Sequence, residues 1–380
     1  MKKFCLSVVL IIIVLTGCHH HSDAPSSTTV VASFLDAQSP AFKIYAVNPA
    51  LYPYVMAYFR TMDGNRDPLI NLNVANVALY VEGQVYDPYK KQYVVQTLKE
   101  RREGFRTVLV LDCSASMAGQ PFSNMLDAAR SFIDFKSPSD EIGILALTDT
   151  VQTICPFTKD KGRLRTYLND LKPIGRRTPI YDGLGTAIQA CFTGRASVSF
   201  TSSDPEVTIL SNIVIITDGE DNGSALTRAD LLRNIENMRV PIPIYSVIYT
   251  GKPGYNVTDL AYISTASFGR YWTIDAMSYL SSICSKIQDI NRNDYVLTFK
   301  SYLPVDGHKH IMKIGVNYAG FLMFNDAEFE TMNIQMATPG LRDLRSHLDR
   351  QIPKLDDNNP YMTSSQSSPP YGSSEIPAGK

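Results

Sequence analysis

The sequence has no excess of charge of either sign, because its 380 residues contain 36 lysines and arginines against 37 aspartates and glutamates. A protein that binds nucleic acid through its phosphates carries a basic surface, so we expect no nucleic-acid partner. Apolar residues, in contrast, make up 44% of the chain. That fraction fills sizeable cores and excludes wholesale disorder, and the length suits two domains.

Histidine and cysteine are scarce, with six residues of each type. The cysteine spacings lack the close pairs of a structural zinc site, and no phosphate-binding loop of the form Gly-x-x-x-x-Gly-Lys-Ser/Thr is present. The histidines lie near the N-terminus or in the last part of the chain, at His19, His20, His21, His308, His310 and His347. These patterns argue against a zinc protein, a serine hydrolase or a phosphotransferase, and we expect neither an enzyme nor a small-molecule substrate.

Long apolar runs are also missing, except near the N-terminus, where Lys2 and Lys3 precede a continuous apolar run from Val8 to Leu15. This run is too short to cross about 30 Å of hydrocarbon as a stable helix. Basic, apolar and small residues follow one another here in the order of an export signal. We therefore predict a signal peptide over residues 1–17 and no membrane-spanning helix elsewhere.

The end of this run, Leu15-Thr16-Gly17-Cys18, resembles the lipobox of bacterial lipoproteins. The resemblance implies that Cys18 carries acyl chains such as palmitate and becomes the N-terminus of a protein of the bacterial cell envelope. Each buried methylene of such a chain contributes about 0.8 kcal/mol to membrane binding. His19 stands where an aspartate would mark inner-membrane retention, which favours the outer membrane in a host with two membranes. The alternative is an ordinary thiol at Cys18, with cleavage elsewhere.

Two segments on either side of the middle of the chain have the pattern of short strands separated by turns. We predict that residues 42–100 and 294–336 combine into one β-sandwich; in the alternative, two small domains, each would have few strands with which to bury a face. Strands of the second segment are expected at Tyr295–Ser301, His310–Val316, Gly320–Phe324 and Glu328–Asn333. Residues 18–41 are predicted to be a polar tether, residues 339–352 an amphipathic helix and residues 353–380 a disordered tail.

The middle of the chain, residues 105–292, alternates apolar strands with segments of helical period. This alternation predicts a doubly wound α/β domain with a mostly parallel sheet, inserted between the two β segments and binding ligands at the carboxyl ends of its strands. Its first strand, Arg106–Leu111, is mostly apolar, as is typical of a central strand buried on both faces. Further strands are expected at Gly143–Leu147, Val151–Cys155, Ile213–Thr217, Ile242–Tyr249 and Tyr271–Ile274, and helices at Phe122–Phe135, Gly162–Leu171, Ile180–Phe192, Arg228–Met238, Val257–Ala266 and Ala276–Ile290.

Oxygen-bearing side chains follow the first of these strands at alternate positions, as Asp112, Ser114 and Ser116. Such side chains on a strand-to-helix turn can converge on one point. One carboxylate and two hydroxyls suit Mg²⁺, which takes oxygen ligands and keeps waters, better than they suit zinc or copper. Thr178 and Asp218 stand at two other loops that the sheet would bring alongside.

With these five residues in this order, the sequence resembles the von Willebrand factor type A family. The metal-ion-dependent adhesion site of that family combines Asp-x-Ser-x-Ser with a distant threonine and a distant aspartate, and the resemblance covers about half of the chain. It implies Mg²⁺, with Mn²⁺ or Ca²⁺ as substitutes, bound directly by Ser114 and Ser116. Thr178, Asp112 and Asp218 would bind it directly or through water. A protein partner would supply an aspartate or glutamate to the metal, in adhesion or in scaffolding of an envelope complex.

Other interpretations of the sequence stay open. The same residue types are favoured at helix caps, so one alternative is a structural envelope lipoprotein with a vestigial metal site. A metal-dependent hydrolase is less favoured, because no histidine is placed to activate a serine. Export allows disulfides among Cys113, Cys155, Cys191 and Cys284, but the sequence does not choose among the pairings. It also leaves open the partner, the side of the membrane and the oligomeric state.

Overall fold

The computed structural model describes residues 40–101, 104–196, 210–238, 242–250, 257–274 and 279–331. The predicted signal peptide, nearly all of the tether with Cys18, the helix predicted at 339–352 and the tail predicted at 353–380 lie outside these residues. In the described part of the chain, no helix is both long enough and apolar enough to cross a membrane.

The elements fall into three consecutive groups. The first group is β1 (Ala41–Leu51), β2 (Tyr54–Met62), β3 (Val77–Val81), β4 (Gln84–Tyr86), β5 (Tyr93–Thr97) and the single turn α1 (Leu98–Arg101). The second is β6 (Phe105–Asp112), α2 (Gln120–Phe135), β7 (Glu141–Leu147), β8 (Val151–Thr158), α3 (Lys161–Asn169), α4 (Ile180–Ala196), β9 (Leu210–Thr217), α5 (Arg228–Glu236), β10 (Ile244–Tyr249), α6 (Val257–Ala266), β11 (Arg270–Ile274) and α7 (Leu280–Arg292). The third is β12 (Tyr295–Lys300), β13 (Lys309–Tyr318) and β14 (Phe321–Glu330).

The second group forms a six-stranded sheet in the order β11-β10-β9-β6-β7-β8. Its strands pair in parallel, except that β8 runs antiparallel to β7. The central strand β6 is buried along its whole length, as its apolar sequence predicts. Buried apolar side chains of α2, α3 and α7 cover one face of the sheet, and those of α4, α5 and α6 cover the other. The predicted doubly wound, mostly parallel α/β domain is confirmed.

The ends of the elements differ from the predictions by a few residues, and β8 differs most. The strand predicted at Val151–Cys155 continues to Thr158. A turn of only a few residues joins it to β7, which favours a hairpin, and the antiparallel pairing continues to Ile142 and Thr158. Each of the six predicted helices corresponds to one of α2 to α7.

The first and third groups combine into one β-sandwich, as the sequence predicts. One sheet has the order β1-β2-β12-β5 and the other has the order β14-β13-β3-β4, so each contains strands from both ends of the chain. Apolar side chains of both sheets share one core. The strands predicted at Gly320–Phe324 and Glu328–Asn333 are instead the single strand β14. Its pairing with β13 is continuous through the polar residues Asn325 and Asp326.

The first sheet of the sandwich packs against the edge of the α/β sheet at which β6 and β9 begin. Tyr45, Met56 and Tyr58 of this sheet lie in one buried cluster with Phe105 and Leu210, the first residues of β6 and β9. Since β6 and β9 run away from this contact, their carboxyl ends lie at the opposite edge. A site at those ends therefore faces away from the sandwich.

Candidate metal-binding site

Asp112, the last residue of β6, is completely buried at the carboxyl edge of the sheet. Its Oδ1 accepts a hydrogen bond from the backbone N–H of Ser114 (2.9 Å), and its Oδ2 accepts one from the hydroxyl of Thr217 (2.7 Å). Burial raises the pKa of this carboxyl group, the bonds from Ser114 and Thr217 act in the opposite direction, and the negative charge of Asp218 raises it further. The carboxylate is thus fixed in place and lies within electrostatic range of Asp218.

The hydroxyls of Ser114 and Ser116 form a hydrogen bond with each other, with their Oγ atoms 2.8 Å apart. The side chain of Ser114 is buried, whereas Ser116 is exposed on a short 3-10 turn, Ala115–Met117. The backbone N–H of Met117 donates to the carbonyl of Ser114 and closes this turn. Two hydroxyl oxygens are therefore presented together, one at the floor of the site and one at its surface.

A glycine from another loop holds the backbone of this segment. The N–H of Ala115 donates to the carbonyl of Gly175, and the N–H of Gly175 donates to the carbonyl of Cys113 (2.6 and 3.0 Å). A Cβ atom at position 175 would lie 2.6 Å from the Cα of Thr148, the residue after β7. Only glycine lets the loop pass this close, so Gly175 supports the position of Ser114.

Thr178 and Asp218 lie in two loops that are joined to each other. The N–H of Thr178 donates to Oδ1 of Asn222 (2.6 Å), and the N–H of Asn222 donates to the carbonyl of Thr178 (3.3 Å). Asp218 follows Thr217 directly, and it is partly buried, whereas Thr178 is buried. The structure thus brings Asp112, Ser114, Ser116 and Asp218 to one edge and ties Thr178 to the loop that follows Asp218.

Carboxylates fasten this loop to the start of α4. Asp182 accepts from the N–H groups of Ala225 and Leu226 (2.9 and 2.8 Å). Asp221 accepts from the N–H of Tyr181 (3.2 Å) and from the hydroxyl of Ser224. These carboxylates therefore hold the loops around the five predicted residues in place.

Sequence reasoning missed three supporting residues: Thr217, Asn222 and Gly175. The pairing of β6 with β9 places Thr217 beside the end of β6, and its position next to Asp218 was the available signal. Nothing in the sequence distinguishes Gly175 or Asn222 from other loop residues. Their roles depend on contacts between loops that lie far apart in the chain.

Residues 107–220 match the family model for the von Willebrand factor type A domain. This part of the chain is a von Willebrand factor type A domain. The matched stretch contains the five predicted site residues, and it ends within the loop after β9.

Relatives of the chain include one curated protein, to which the similarity is distant. Over 259 residues the chain is 21% identical to inter-alpha-trypsin inhibitor heavy chain H1 of Mesocricetus auratus, covering 66% of this chain and 26% of that protein. The chain thus spans about a quarter of the length of this relative.

Solved structures similar to the chain include a von Willebrand factor type A protein from Catenulispora acidiphila, with 12% identity and a TM-score of 0.42 over 78% of this chain and 74% of that chain. They also include an aerotolerance-related membrane protein from Bacteroides fragilis NCTC 9343, with 19% identity and a TM-score of 0.38 over 50% of this chain and 99% of that chain. The family assignment rests on the match of residues 107–220.

The side chains at the type A site fit a hard divalent cation. All the donors are carboxylate or hydroxyl oxygens, which Mg²⁺, Mn²⁺ and Ca²⁺ accept. Bonds of 2.0–2.1 Å in an octahedral shell place neighbouring ligands about 2.9 Å apart, and Ser114 and Ser116 match this spacing. In the described residues, no three His, Cys, Asp or Glu side chains form a metal-binding group.

The cysteines of the described residues are all buried, and no disulfide links them: Cys113, Cys155, Cys191 and Cys284. Burial and the neighbouring charge of Asp112 raise the pKa of Cys113 to about 12. Burial also raises the pKa of Cys284 to about 12. A thiol with such a pKa stays protonated at neutral pH, so Cys113 packs beside the type A site as a small apolar residue.

Proposed function

We propose that this protein binds a protein partner through a divalent cation, Mg²⁺ in the first place, held at the type A site. The observation that carries the proposal is the pair of serine hydroxyls, 2.8 Å apart, beside the fixed carboxylate of Asp112. The match of residues 107–220 to the type A family is consistent with a role in protein binding. Adhesion and the scaffolding of an envelope complex are both compatible with this chemistry.

Each residue has a distinct task in this proposal. Ser114 and Ser116 bind the ion directly, and Asp112, Thr178 and Asp218 bind it directly or through water. When bound, the ion supplies positive charge to an acidic side chain of the partner. Thr217 and the backbone N–H of Ser114 orient the carboxylate of Asp112, so that the site is formed before the partner arrives.

The proposal is one of recognition without turnover. A serine nucleophile needs a base, and the two histidines of the described residues, His308 and His310, lie at the start of β13 in the sandwich. The sandwich contacts the opposite edge of the α/β sheet. No imidazole of the described residues is therefore placed to activate Ser114 or Ser116.

The proposal also includes an envelope location. It is supported by the order of basic, apolar and small residues in residues 1–17, which is that of an export signal, and by the resemblance of Leu15-Thr16-Gly17-Cys18 to a lipobox. Acyl chains at Cys18 would hold the protein on a membrane, with the outer membrane favoured by His19 in a host with two membranes. The sandwich would then act as a stalk, because the type A site faces away from it.

The experiment that tests the proposal is calorimetric titration of the full chain, in detergent and freed of metal by a chelator, with Mg²⁺ and then with Mn²⁺. We expect one-site binding that Asp112→Ala and Ser116→Ala abolish. Ser116 is exposed, so its variant tests the ion without disturbing the core. Ser139→Ala is the matched control, because Ser139 is an exposed serine in the loop before β7, at the other edge of the sheet.

Absence of heat, together with no rise in the melting temperature at millimolar Mg²⁺, would contradict the proposal. The structural alternative, a lipoprotein with a vestigial site, predicts this result. Binding that persists in both Asp112→Ala and Ser116→Ala would place the ion elsewhere and would equally contradict the proposal.

A further inference from the structure

A large apolar side chain is exposed beside the serines of the type A site. Ile174 is 69% exposed. It directly precedes Gly175, whose backbone pairs with the segment that carries Ser114. Single exposed apolar residues are common on protein surfaces and need no explanation by themselves. Ile174 differs from them in its position next to a candidate binding site and in the rigidity of its loop.

The loop that carries Ile174 is fixed on both sides. The N–H of Ile174 donates to the carbonyl of Lys172 (3.0 Å), and Gly175 is held by the site segment. Beyond Gly175, the N–H groups of Arg176 and Arg177 both donate to Oδ1 of Asp149 (2.6 and 3.1 Å). The loop needs no ordering when a partner binds, which removes one cost of association.

Basic side chains accompany Ile174 on this loop. Lys172, Arg176 and Arg177 are all exposed. The stem of Arg177 lies against Gly223 in the loop after β9, where an added Cβ atom would be 3.0 Å from the Cβ of Arg177. These three cations outnumber the single carboxylate of Asp149 that accepts hydrogen bonds from the loop, so residues 172–177 and Asp149 together carry a net positive charge.

We propose that Ile174, Arg176 and Arg177 form a recognition rim that selects the partner of the type A site. The partner is a protein segment whose metal-binding carboxylate is accompanied by an apolar side chain and by a second acidic residue. The apolar side chain packs on Ile174, and the second carboxylate lies beside the arginines. This inference rests on the metal-dependent binding proposed above, and it specifies the chemistry of the partner.

The test uses four synthetic peptides and the full chain in detergent with Mg²⁺. The first peptide has a central glutamate flanked by leucine and aspartate; in the others serine replaces leucine, lysine replaces aspartate, or glutamine replaces the glutamate. We expect the first peptide to bind best and the glutamine peptide not to bind. Ile174→Ser should weaken the first peptide about tenfold, which corresponds to about 1.4 kcal/mol, and should bring it level with the serine peptide.

Arg176→Glu should weaken the first peptide by a similar factor and should remove its advantage over the lysine peptide, because the substitution cancels the net positive charge of the two rim arginines. Two exposed residues of the sandwich segment serve as controls. Ile70→Ser matches the loss of an exposed isoleucine, and Lys90→Glu matches the charge reversal. Both controls should bind the peptides as the unaltered protein does.

The outcomes separate this inference from the proposed function. If Ser116→Ala abolishes peptide binding while Ile174→Ser and Arg176→Glu leave it unchanged, these rim residues do not select the partner. The proposed metal-dependent function is then still supported. If none of the peptides binds with Mg²⁺ present, the inference is overturned, and the calorimetric titration with the metal alone decides the proposed function. If Ile174→Ser removes the heat of metal binding as well, Ile174 acts on the ion site instead of on the partner, which also overturns the rim.

Discussion

Arg60 of β2 and Asp294, the residue before β12, form a buried ion pair with two hydrogen bonds. Nε of Arg60 donates to Oδ1 of Asp294 and Nη2 donates to Oδ2, both at 2.8 Å, and the two side chains are 3% and 4% exposed. The same guanidinium donates to Oδ1 of Asn291 in α7 and to the carbonyl of Phe268 after α6. One side chain of the sandwich thus fixes the end of the last helix of the type A domain.

Replacement of Arg60 by alanine should destabilise the protein strongly. The variant leaves the carboxylate of Asp294 buried without its partner, and such a loss costs about 3–5 kcal/mol. Denaturant unfolding of the purified chain measures it. Arg130→Ala is the control, because the pair of Arg130 with Asp127 is 36% and 64% exposed and should contribute only about 0–1 kcal/mol. Equal losses in the two variants would contradict this account of the Arg60 pair.

Thr217→Val should weaken Mg²⁺ binding about tenfold or more while the fold is retained, because residues that orient metal-binding carboxylates usually contribute a factor of about 10–100. The substitution removes the hydroxyl that donates to Asp112 and keeps the volume of the side chain. Titration with Mg²⁺ measures the effect. Thr298→Val in the sandwich is the matched control, since the hydroxyl of Thr298 is buried without a hydrogen-bond partner in the described structure. An unchanged Mg²⁺ affinity in Thr217→Val would show that Asp112 needs no such support.

Gly175→Ala should lower both stability and Mg²⁺ affinity. The new methyl group would collide with backbone atoms of Thr148. The backbone shift that avoids this collision lowers the free energy of unfolding by about 1–3 kcal/mol. Gly185→Ala in α4 is the control, because its Cβ would meet only the end of the Leu226 side chain, at 3.2 Å, and alanine is the better helix former by up to about 1 kcal/mol. Thermal unfolding and metal titration of both variants give the comparison, and a stable Gly175→Ala protein would contradict it.

The pH dependence of Mg²⁺ binding should report the raised pKa of Asp112. The cation requires the ionised carboxylate, so affinity should fall as the pH is lowered through this pKa, which lies above the ordinary value of 3.8. In the metal-free protein the pKa of Asp112 is higher in the folded state than in the unfolded state. The free energy of unfolding should therefore rise as the pH is lowered through this pKa, because protonation relieves the cost of a buried charge. In metal-free Asp112→Asn, the free energy of unfolding should lack this contribution to its pH dependence. Mg²⁺ affinity that holds constant down to the ordinary carboxyl range would contradict the assignment.

The thiols of the described residues should resist alkylation in the folded protein at pH 8. All four are buried, and Cys113 and Cys284 have a pKa of about 12. After unfolding, Cys113, Cys155, Cys191 and Cys284 should each react, as peptide mass spectrometry of the alkylated chain would detect. Rapid labelling of Cys113 in the folded state would show that the type A site opens in solution. A disulfide recovered between any two of them would contradict the buried thiols seen here.

The sequence predicts the α/β domain well because its signals are local. The apolar run of β6 and the helical period of α2 depend on residues close together in the chain, and Asp112, Ser114 and Ser116 lie within one turn. The chain connections also predict that both β segments meet at the edge away from the site. The five site residues belong to the pattern of a known family, and the metal they imply remains to be tested.

Contacts between distant residues could not be predicted in this way. Arg60 and Asp294 belong to different β segments, and neither stands in a motif that announces a buried charge. The role of Gly175 depends on the approach of Thr148, and that of Thr217 on the register between β6 and β9. Such contacts follow only once the sheets are assembled.

The place of β12 between β2 and β5 determines the order in which the chain can fold. During synthesis from the N-terminus, β1, β2 and β5 emerge first, yet their sheet stays incomplete until Tyr295–Lys300 arrive and pair with β2 and β5. The sheet of the inserted domain contains no strand from outside residues 105–292, so this domain can fold while the sandwich is still incomplete. The α/β domain can thus be complete before the sandwich. A chain that ends before β12 would therefore contain a folded α/β domain and an incomplete β-sandwich.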